Sequence, residues 1–325
     1  MILAGDIGGT RTRLAAFNVE GSKLQRVVET TYPSQERAGL SEIVAEFVKR
    51  EGIPVHSACF GVAGPVRGGR SKISNLPWTI DSRELAAQLK LDSVGLINDL
   101  EAYAYGVDAL ESKDLVTLQA GSEDAEGNRA VIAARTGLGV AGLYWDGFRH
   151  HPFACEGGHT DFAPRNDLEV ELFGYILKKH GHVSTERLLS GPGIKNIYEF
   201  LRDINYATET SAILERFKDR DPSSVIANAA LAGECDLCLK ALDMFAGIYG
   251  AVAGNVALQL KAIAGVYVGG GIAPKIIEKL KDGTFMKAFT DKGRLSSLLE
   301  AIPVRVIMND RTALLGSASV AAKQD

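Results

Sequence analysis

Two glycine- and threonine-containing turns, more than a hundred residues apart, constrain the fold of this chain more than any other feature. The first lies between the apolar runs 2–4 and 14–17, and the second lies within residues 131–144. An apolar run, a short turn and a second apolar run are typical of a β-hairpin. A single glycine pattern is weak evidence, but its repetition predicts two related halves, each offering a turn to one polyphosphate.

The first turn has the residue types that a phosphate site requires. Gly8 and Gly9 carry no Cβ, so their backbone N–H groups can approach an anion closely. The hydroxyls of Thr10 and Thr12 add donors, and Asp6 supplies a carboxylate for a hydrated divalent cation. An ordinary tight hairpin with a surface aspartate has the same features, so this segment alone leaves both interpretations open.

Composition restricts the class of protein. A chain of 325 residues, 46% hydrophobic and 23% charged, suits two globular domains. Its net charge of −4, without blocks of like charge, predicts neither nucleic acid nor membrane as a partner. No apolar run reaches about 18 residues, and no signal peptide is predicted. Four cysteines favour a cytoplasmic location, and Cys235 and Cys238 lack the second pair of a zinc site.

Strand and helix patterns alternate along the chain and predict an α/β fold. We expect a helix over residues 41–49 with Ser41 as its N-cap, and a turn at residues 190–193. A long apolar helix is expected over residues 235–263, with a break near its glycines at 247–254.

The predicted domain boundaries follow from where this pattern restarts. The pattern restarts near residue 110, without a flexible linker, which suits a hinge. The strand and helix from residue 304 onward resemble the first half, so both are expected to return to it. The predicted domains are a small one of residues 1–109 with 308–325 and a large one of residues 110–307.

Asp99 is the strongest candidate for a catalytic residue. It follows a short buried strand, and ligands of open α/β sheets lie beyond the carboxyl ends of strands. A carboxylate there can accept the proton of a hydroxyl that attacks a phosphoryl group. Asn98 offers a donor and an acceptor to vicinal hydroxyls. Helix capping is the competing role for both residues.

A second polar group lies in the other half of the chain. Glu156, His159 and Asp161 share a glycine-containing loop, and hydrogen bonds to a polyol suit them better than a metal does. Glu186 is a candidate for a further hydroxyl, although a favourable helix-dipole interaction explains it almost as well. Asn75 lies in a loop from which it can reach a sugar.

Nine segments, in family order and across nearly the whole chain, resemble bacterial glucokinases of the non-repressor type, in the actin/hexokinase/heat-shock ATPase superfamily. The cysteine-rich zinc motif of the repressor/kinase relatives is missing. The segments are Gly5-Asp-Ile-Gly-Gly-Thr10, Ala63-Gly-Pro65, Asn75-Leu-Pro-Trp78, Ile97-Asn-Asp99, Thr136-Gly-Leu-Gly139, Glu156-Gly-Gly-His159, His182-Val-Ser-Thr-Glu-Arg187, Leu189-Ser-Gly-Pro-Gly193 and Gly269-Gly-Gly-Ile272.

The resemblance implies a two-domain actin-like ATPase (ribonuclease H-like) fold, with a cleft between a small and a larger α/β domain. It also implies a cytoplasmic homodimer that phosphorylates the 6-hydroxyl of glucose with ATP and Mg²⁺. Asp99 would be the general base, and Asp6 would lie near the metal. The residues implied for the sugar are Asn75, Asn98, Asp99, Glu156, His159 and Glu186. Those implied for the nucleotide are Gly5, Asp6, Ile7, Gly8, Gly9, Thr10, Thr136, Gly137, Gly270 and Gly271.

The chain departs from the family pattern at Arg11, where Asn is frequent, and at Ala133-Ala134-Arg135, where relatives often have Gly-x-Gly. We hypothesise that Arg135 contacts the donor phosphates. The alternatives are a kinase for another hexose or an N-acetylhexosamine, or a catalytically silent sugar-binding regulator. A dinucleotide enzyme ranks last, because β-forming residues continue through Tyr144 where that motif needs a helix.

Overall fold

The computed structural model describes residues 1–21, 23–73 and 76–323. The chain divides into two compact units. The first comprises Met1–Ser112, Pro152–Ala154 and Asn309–Asp325, and the second comprises Lys113–His151 and Cys155–Met308.

The strands of the described residues are numbered in chain order. They are β1 (Ile2–Ile7), β2 (Arg11–Glu20), β3 (Lys23–Pro33), β4 (Ser57–Val62), β5 (Val66–Arg67), β6 (Arg70–Lys72), β7 (Thr79–Asp81), β8 (Gly95–Asn98), β9 (Leu115–Gln119), β10 (Arg129–Ala134), β11 (Leu138–Trp145), β12 (His150–Cys155), β13 (Val266–Gly269) and β14 (Val304–Ile307).

The α-helices are numbered in the same way, and short 3₁₀ turns connect several of them. They are α1 (Leu40–Glu51), α2 (Ser82–Leu89), α3 (Asp99–Gly106), α4 (Asp167–His180), α5 (Gly191–Asp203), α6 (Ser211–Asp219), α7 (Pro222–Leu231), α8 (Asp236–Gln259), α9 (Ile277–Lys281), α10 (Thr284–Thr290), α11 (Ser296–Glu300) and α12 (Thr312–Ala322).

The two large sheets share one topology. The first has the order β3-β2-β1-β4-β8 and the second β12-β11-β10-β13-β14, with β9 added beyond β14. In each, the hairpin strand pairs antiparallel with its successor and parallel with the next strand inward, as β1 does with β2 and β4 and β10 does with β11 and β13. The prediction of two related halves is confirmed.

The last helix packs on the first unit, against α3 and the faces of β1 and β4. A Cβ on Gly316 would lie 1.7 Å from the carbonyl oxygen of Ala102, and one on Gly106 would lie 1.9 Å from that of Thr312. Glycine at both positions therefore allows α3 and α12 to cross in direct backbone contact. The strand before this helix, β14, pairs with β13 and β9 in the second sheet, so the prediction that it returns to the first half was wrong.

The core of the second unit is built around α8, which is continuous through residues 247–254. The predicted break is absent because a glycine there serves close packing: a Cβ on Gly250 would lie 2.0 Å from the carbonyl oxygen of Phe285, on α10. This helix is long and apolar enough to cross a membrane, but 78% of its most apolar window is buried inside the protein. Cys235 caps it, its Sγ accepting from the N–H of Cys238, so both cysteines have structural roles.

Two other local predictions change. The first helix begins at Leu40 with Gly39 as its N-cap, so Ser41 lies inside it and does not cap it. Residues 190–193 form the start of α5, where the hydroxyl of Ser190 accepts from the N–H of Gly193. Pro192, in the first turn of α5, fits this position, because an N–H group there would have no partner within the helix.

Candidate active site

The first predicted phosphate turn joins β1 to β2. The N–H of Gly8 donates to the carbonyl of Arg11, 2.9 Å away, which closes the turn. The N–H groups of Gly9 and Thr10 are therefore the candidate phosphate donors. Gly5 and Ile7 are buried in the sheet, and a Cβ on Gly5 would lie 2.5 Å from the Phe60 ring, so both residues position the turn through packing.

Thr12, predicted as a phosphate donor, is buried and has another partner. Its hydroxyl lies 2.9 Å from that of Ser34, which in turn donates to the carbonyl oxygen of Gly8 at 2.8 Å. Because the single proton of Ser34 is used in this way, Thr12 donates to Ser34. Thr12 therefore holds the turn in place and does not offer its proton to a ligand. Ser34 is a positioning residue that no local sequence signal identified.

The carboxyl ends of three parallel strands meet beside this turn. The amide nitrogen of Asn98, at the end of β8, donates to the carbonyl of Gly64, just beyond β4. Its oxygen accepts from the N–H groups of Leu100 and Glu101, so Asn98 is the N-cap of α3. Asp99 is the first helical residue, half-buried, and does not perform the capping. The competing interpretation of Asp99 as a cap is therefore wrong, whereas that of Asn98 is confirmed.

Asp6 lies on the same face of the sheet as Ile2 and Ala4, which pack against α12. Two strand spacings separate β1 from β8, which places the backbones of Asp6 and Asp99 on the order of 10 Å apart. In the described part of the chain, no group of three or more His, Cys, Asp or Glu side chains forms a metal cluster. A single carboxylate fits Mg²⁺ that is bound mainly by nucleotide phosphates and water.

The second turn, at residues 135–137, joins β10 to β11. The N–H of Arg135 donates to the carbonyl of Gly137, and the carbonyl of Arg135 accepts from the N–H of Gly191 at the start of α5. Glu186 reaches the same turn, its Oε2 accepting from the N–H of Leu138 at 2.9 Å. A Cβ on Gly137 would lie 2.5 Å from that oxygen, so a side chain there would displace the Glu186 carboxylate from this position.

The loop with Glu156 and His159 packs on the beginning of β11. A Cβ on Gly158 would lie 2.1 Å from the carbonyl oxygen of Leu138, which shows how closely the two backbones approach. The N–H and hydroxyl of Thr185 both donate to the carbonyl of Thr160, which joins the loop to the segment of Glu186. The second turn, the Glu156–His159 loop and Glu186 therefore come together within the second unit.

The side chains of Glu156 and His159 are exposed and have no hydrogen-bond partner among the residues that the structure describes. Asp161 instead pairs through its backbone with Ser184 and lies 3.7 Å from the ring of His182. Asn75 lies outside the described residues.

Gly270 follows β13 and touches the end of β10. Its φ is +85°, and a Cβ there would lie 2.2 Å from the carbonyl oxygen of Ala134, so only glycine fits. The neighbouring Gly271 is exposed and borders open space. The hydroxyl of Tyr249 on α8 has one proton, which is shared between the carbonyls of Ile132 and Gly269, 3.2 and 3.3 Å away. This second positioning residue, which sequence reasoning also missed, ties the helix to both strands.

Comparison with solved structures places the fold in a known class. A glucokinase from an Antarctic psychrotroph superimposes with a TM-score of 0.88 at 31% identity, covering 99% of this chain and 98% of that one. A ROK family glucokinase from Streptomyces griseus, in complex with glucose and AMPPNP, has the same fold, with a TM-score of 0.65 at 20% identity and 99% of each chain covered. The chain has the actin-like ATPase fold of the sugar kinases, as predicted.

Sequence comparison identifies the family within this class. The glucokinase family model matches residues 3–324. A glucokinase of Nostoc sp. is 42% identical to this chain, with 99% of each chain covered. The chain belongs to the glucokinase family, which confirms the resemblance found in its motifs.

Proposed function

We propose that Asp99 is the general base in the ATP-dependent phosphorylation of glucose, the reaction of the glucokinase family. Its carboxylate accepts the proton of the 6-hydroxyl while that oxygen attacks the γ-phosphoryl group of ATP, and ADP and glucose 6-phosphate are formed. The observation that carries the proposal is the position of Asp99, half-buried at the carboxyl end of β8, with the capping role taken by Asn98.

The sugar hydroxyls are assigned to groups that the protein leaves available. Glu156 and His159 are exposed and without a hydrogen-bond partner in the described chain. One carboxylate oxygen of Glu186 accepts from Leu138, and the other is assigned to a sugar hydroxyl. The amide nitrogen of Asn98 has one proton on Gly64 and a second for the sugar. Asn75 is retained as a further candidate from its motif.

The donor phosphates are assigned to the backbone N–H groups of Gly9 and Thr10 and to the turn at Thr136 and Gly137. Glycine allows an anion to approach these donors closely. The run at Gly270 and Gly271 is assigned to the adenosine. Asp6 would hold Mg²⁺ together with the nucleotide, and the ion would offset the negative charge on the phosphates.

We also propose that the enzyme is a cytoplasmic homodimer with no nucleic acid or membrane partner. The four cysteines are free, which suits a reducing compartment. The dimer is carried over from the family resemblance. Residues 1–109 with 308–325 and residues 110–307 are proposed as its two domains.

The test is an Asp99→Asn variant in an assay that couples ADP release to a recorded signal. Loss of a general base is expected to lower kcat by roughly 10²–10⁴-fold, while calorimetry still detects glucose binding. Glu101→Gln is the matched control, because it makes the same change in the same helical turn and should keep kcat near that of the parent. Near-parental kcat in Asp99→Asn would contradict the assignment.

A hexose panel in the same assay tests the substrate. A site built to bond one pattern of hydroxyls leaves polar groups unpaired with another, so glucose should have the highest kcat/KM. A higher kcat/KM for mannose or an N-acetylhexosamine would favour the alternative substrate. Omission of Mg²⁺ should abolish turnover.

A further inference from the structure

The second unit contains a cavity of about 350 Å³ that the proposed reaction does not use. One wall is α8, from Ile248 to its end, and the facing wall is the segment from Gly157 to Arg165. The volume is in the range of small-molecule sites. The described lining residues include none of the side chains to which we assigned glucose or ATP, so this cavity is distinct from the proposed active site.

One cation in this cavity forms no ion pair with the residues that the structure describes. The half-buried ammonium of Lys292 donates to the carbonyl oxygen of Ala251 at 3.0 Å, and no carboxylate of the described chain lies within ion-pair distance of it. Burial lowers the pKa of Lys292 and the positive charge of Arg165 lowers it further, whereas the negative charge of Asp291 raises it by less. A bound anion would offset both unfavourable effects.

The other cation is already paired. The guanidinium of Arg165 bonds to the carboxylate of Glu169, which is buried, and the backbone N–H of Arg165 donates to the same group. Lys292 is therefore the lining cation without an ion pair in the described chain; the lining carboxylate, Asp161, is exposed and lies 3.7 Å from the ring of His182.

Helix α8 makes room for both cations. A Cβ on Gly254 would lie 2.7 Å from the Cε atom of Lys292, and one on Gly247 would lie 3.3 Å from the Nη2 atom of Arg165. Residues seven apart share one face of a helix, so these two glycines lie on the same side of α8, each beside one of the two cations. Beside them, Asn255 and Gln259 line the cavity with amide groups that can donate and accept.

We propose that this cavity binds a small organic anion, whose carboxylate or phosphate group pairs with Lys292 and whose polar part bonds to Asn255 and Gln259. We further propose that its occupancy changes the affinity for glucose. Gly157 and Thr160, in the loop of Glu156 and His159, line the cavity, so a ligand there contacts the assigned sugar loop. This second part rests on the proposed function, whereas the binding part does not.

The binding test uses calorimetry on the full chain with inorganic phosphate, glucose 6-phosphate and citrate as probes, with and without saturating glucose. In the parent, at least one probe should bind while glucose occupies the active site. Lys292→Met should weaken that binding about tenfold to a hundredfold, the loss expected for one charge-assisted bond. Lys287→Met, an exposed lysine on α10, is the matched control and should bind as the parent does.

The outcomes separate the two parts of the proposal. Absence of binding by every probe, equal binding by the parent and Lys292→Met, or complete displacement by glucose overturns the anion site. A Lys292→Met protein that changes its oligomeric state instead of its probe affinity also overturns it, because the cavity is then a contact between copies of the chain.

Linkage tests the regulatory part. A probe that changes the affinity for glucose must have its own affinity changed by glucose by the same factor. Equal probe affinity with and without glucose overturns the regulatory role while leaving the anion site in place. Glucose phosphorylation is measured separately, so loss of the proposed function does not obscure the binding result. Equal thermal midpoints of the two lysine variants establish that both are folded.

Discussion

The two units have the same strand order but hold their turns with different chemistry. In the first, the turn after β1 is bonded by the neutral hydroxyls of Thr12 and Ser34. In the second, the turn after β10 is bonded by the carboxylate of Glu186. The Glu186 carboxylate has a second oxygen that can accept from a sugar hydroxyl while the first holds the turn, whereas the Thr12 and Ser34 protons are used within the protein. The comparison teaches that the repeated scaffold sets the position of each turn, and that side chains from distant segments decide whether an acceptor for a sugar hydroxyl lies beside it.

The largest effect that would test this comparison is expected from Glu186→Ala. The variant removes a charged acceptor from Leu138 and from the assigned sugar hydroxyl, so KM for glucose should rise about tenfold to a hundredfold. Initial rates at varied glucose measure this, with the exposed Glu171→Ala as control. If KM for ATP rises and that for glucose does not, Glu186 supports the phosphate side, and the contrast between the units fails.

A second prediction compares the glycines that follow β4 and β13. Gly270→Ala combines a positive φ with a 2.2 Å contact to backbone, so the free energy of unfolding should fall by roughly 1–3 kcal/mol. Gly64 has an ordinary φ, and a Cβ there would lie 2.8 Å from the carbonyl oxygen of Lys72, so Gly64→Ala should lower the free energy of unfolding by less. Gly271→Ala meets no atom and is the control. Denaturant titrations measure all three, and equal losses at Gly270 and Gly271 would show that neither the positive φ nor the close contact of Gly270 requires glycine.

Ser34→Ala acts on the first unit. It removes two neutral hydrogen bonds, the one from Thr12 and the one to the carbonyl of Gly8, and each contributes about 0.5–1.5 kcal/mol. We expect that loss in the free energy of unfolding, with a modest rise in KM for ATP. A tenfold change in KM for glucose with an unchanged KM for ATP would instead assign this turn to the sugar.

The smallest effect concerns pH and the first turn of α3. Burial raises the pKa of Glu101, and a hydrogen bond from the Asn98 backbone lowers it by less. The folded protein therefore holds this proton more tightly than the unfolded chain, and the stability so gained is lost as pH rises through the folded pKa. Glu101→Gln should therefore gain stability relative to the parent as pH rises from about 4, the ordinary pKa of Glu, toward neutral pH.

Chemical denaturation across that pH range measures this difference, with the exposed Glu20→Gln as control. A parent-to-variant difference that stays constant with pH would show that burial of Glu101 has no thermodynamic effect.

Local patterns predicted the parts of the site that depend on neighbouring residues. Glycine spacing located both turns, and the end of a buried strand located Asp99. The sequence did not identify Ser34 as the partner of Thr12, or Glu186 as the partner of Leu138, because each pair is joined only by the folded chain. The break predicted at the glycines of α8 is wrong for the same reason: they pack against the backbone of α10, which is distant in the sequence.

The glycine crossing of α3 and α12 has a consequence for catalysis at a distance. Where the two helices cross in backbone contact, no side chain lies between them to absorb a displacement, so we expect them to move as one piece. The proposed proton acceptor, at the beginning of α3, is therefore carried on a block whose other member is the last helix of the chain. A fusion or truncation that loosens this final helix should disturb turnover, although it alters no group that touches the sugar.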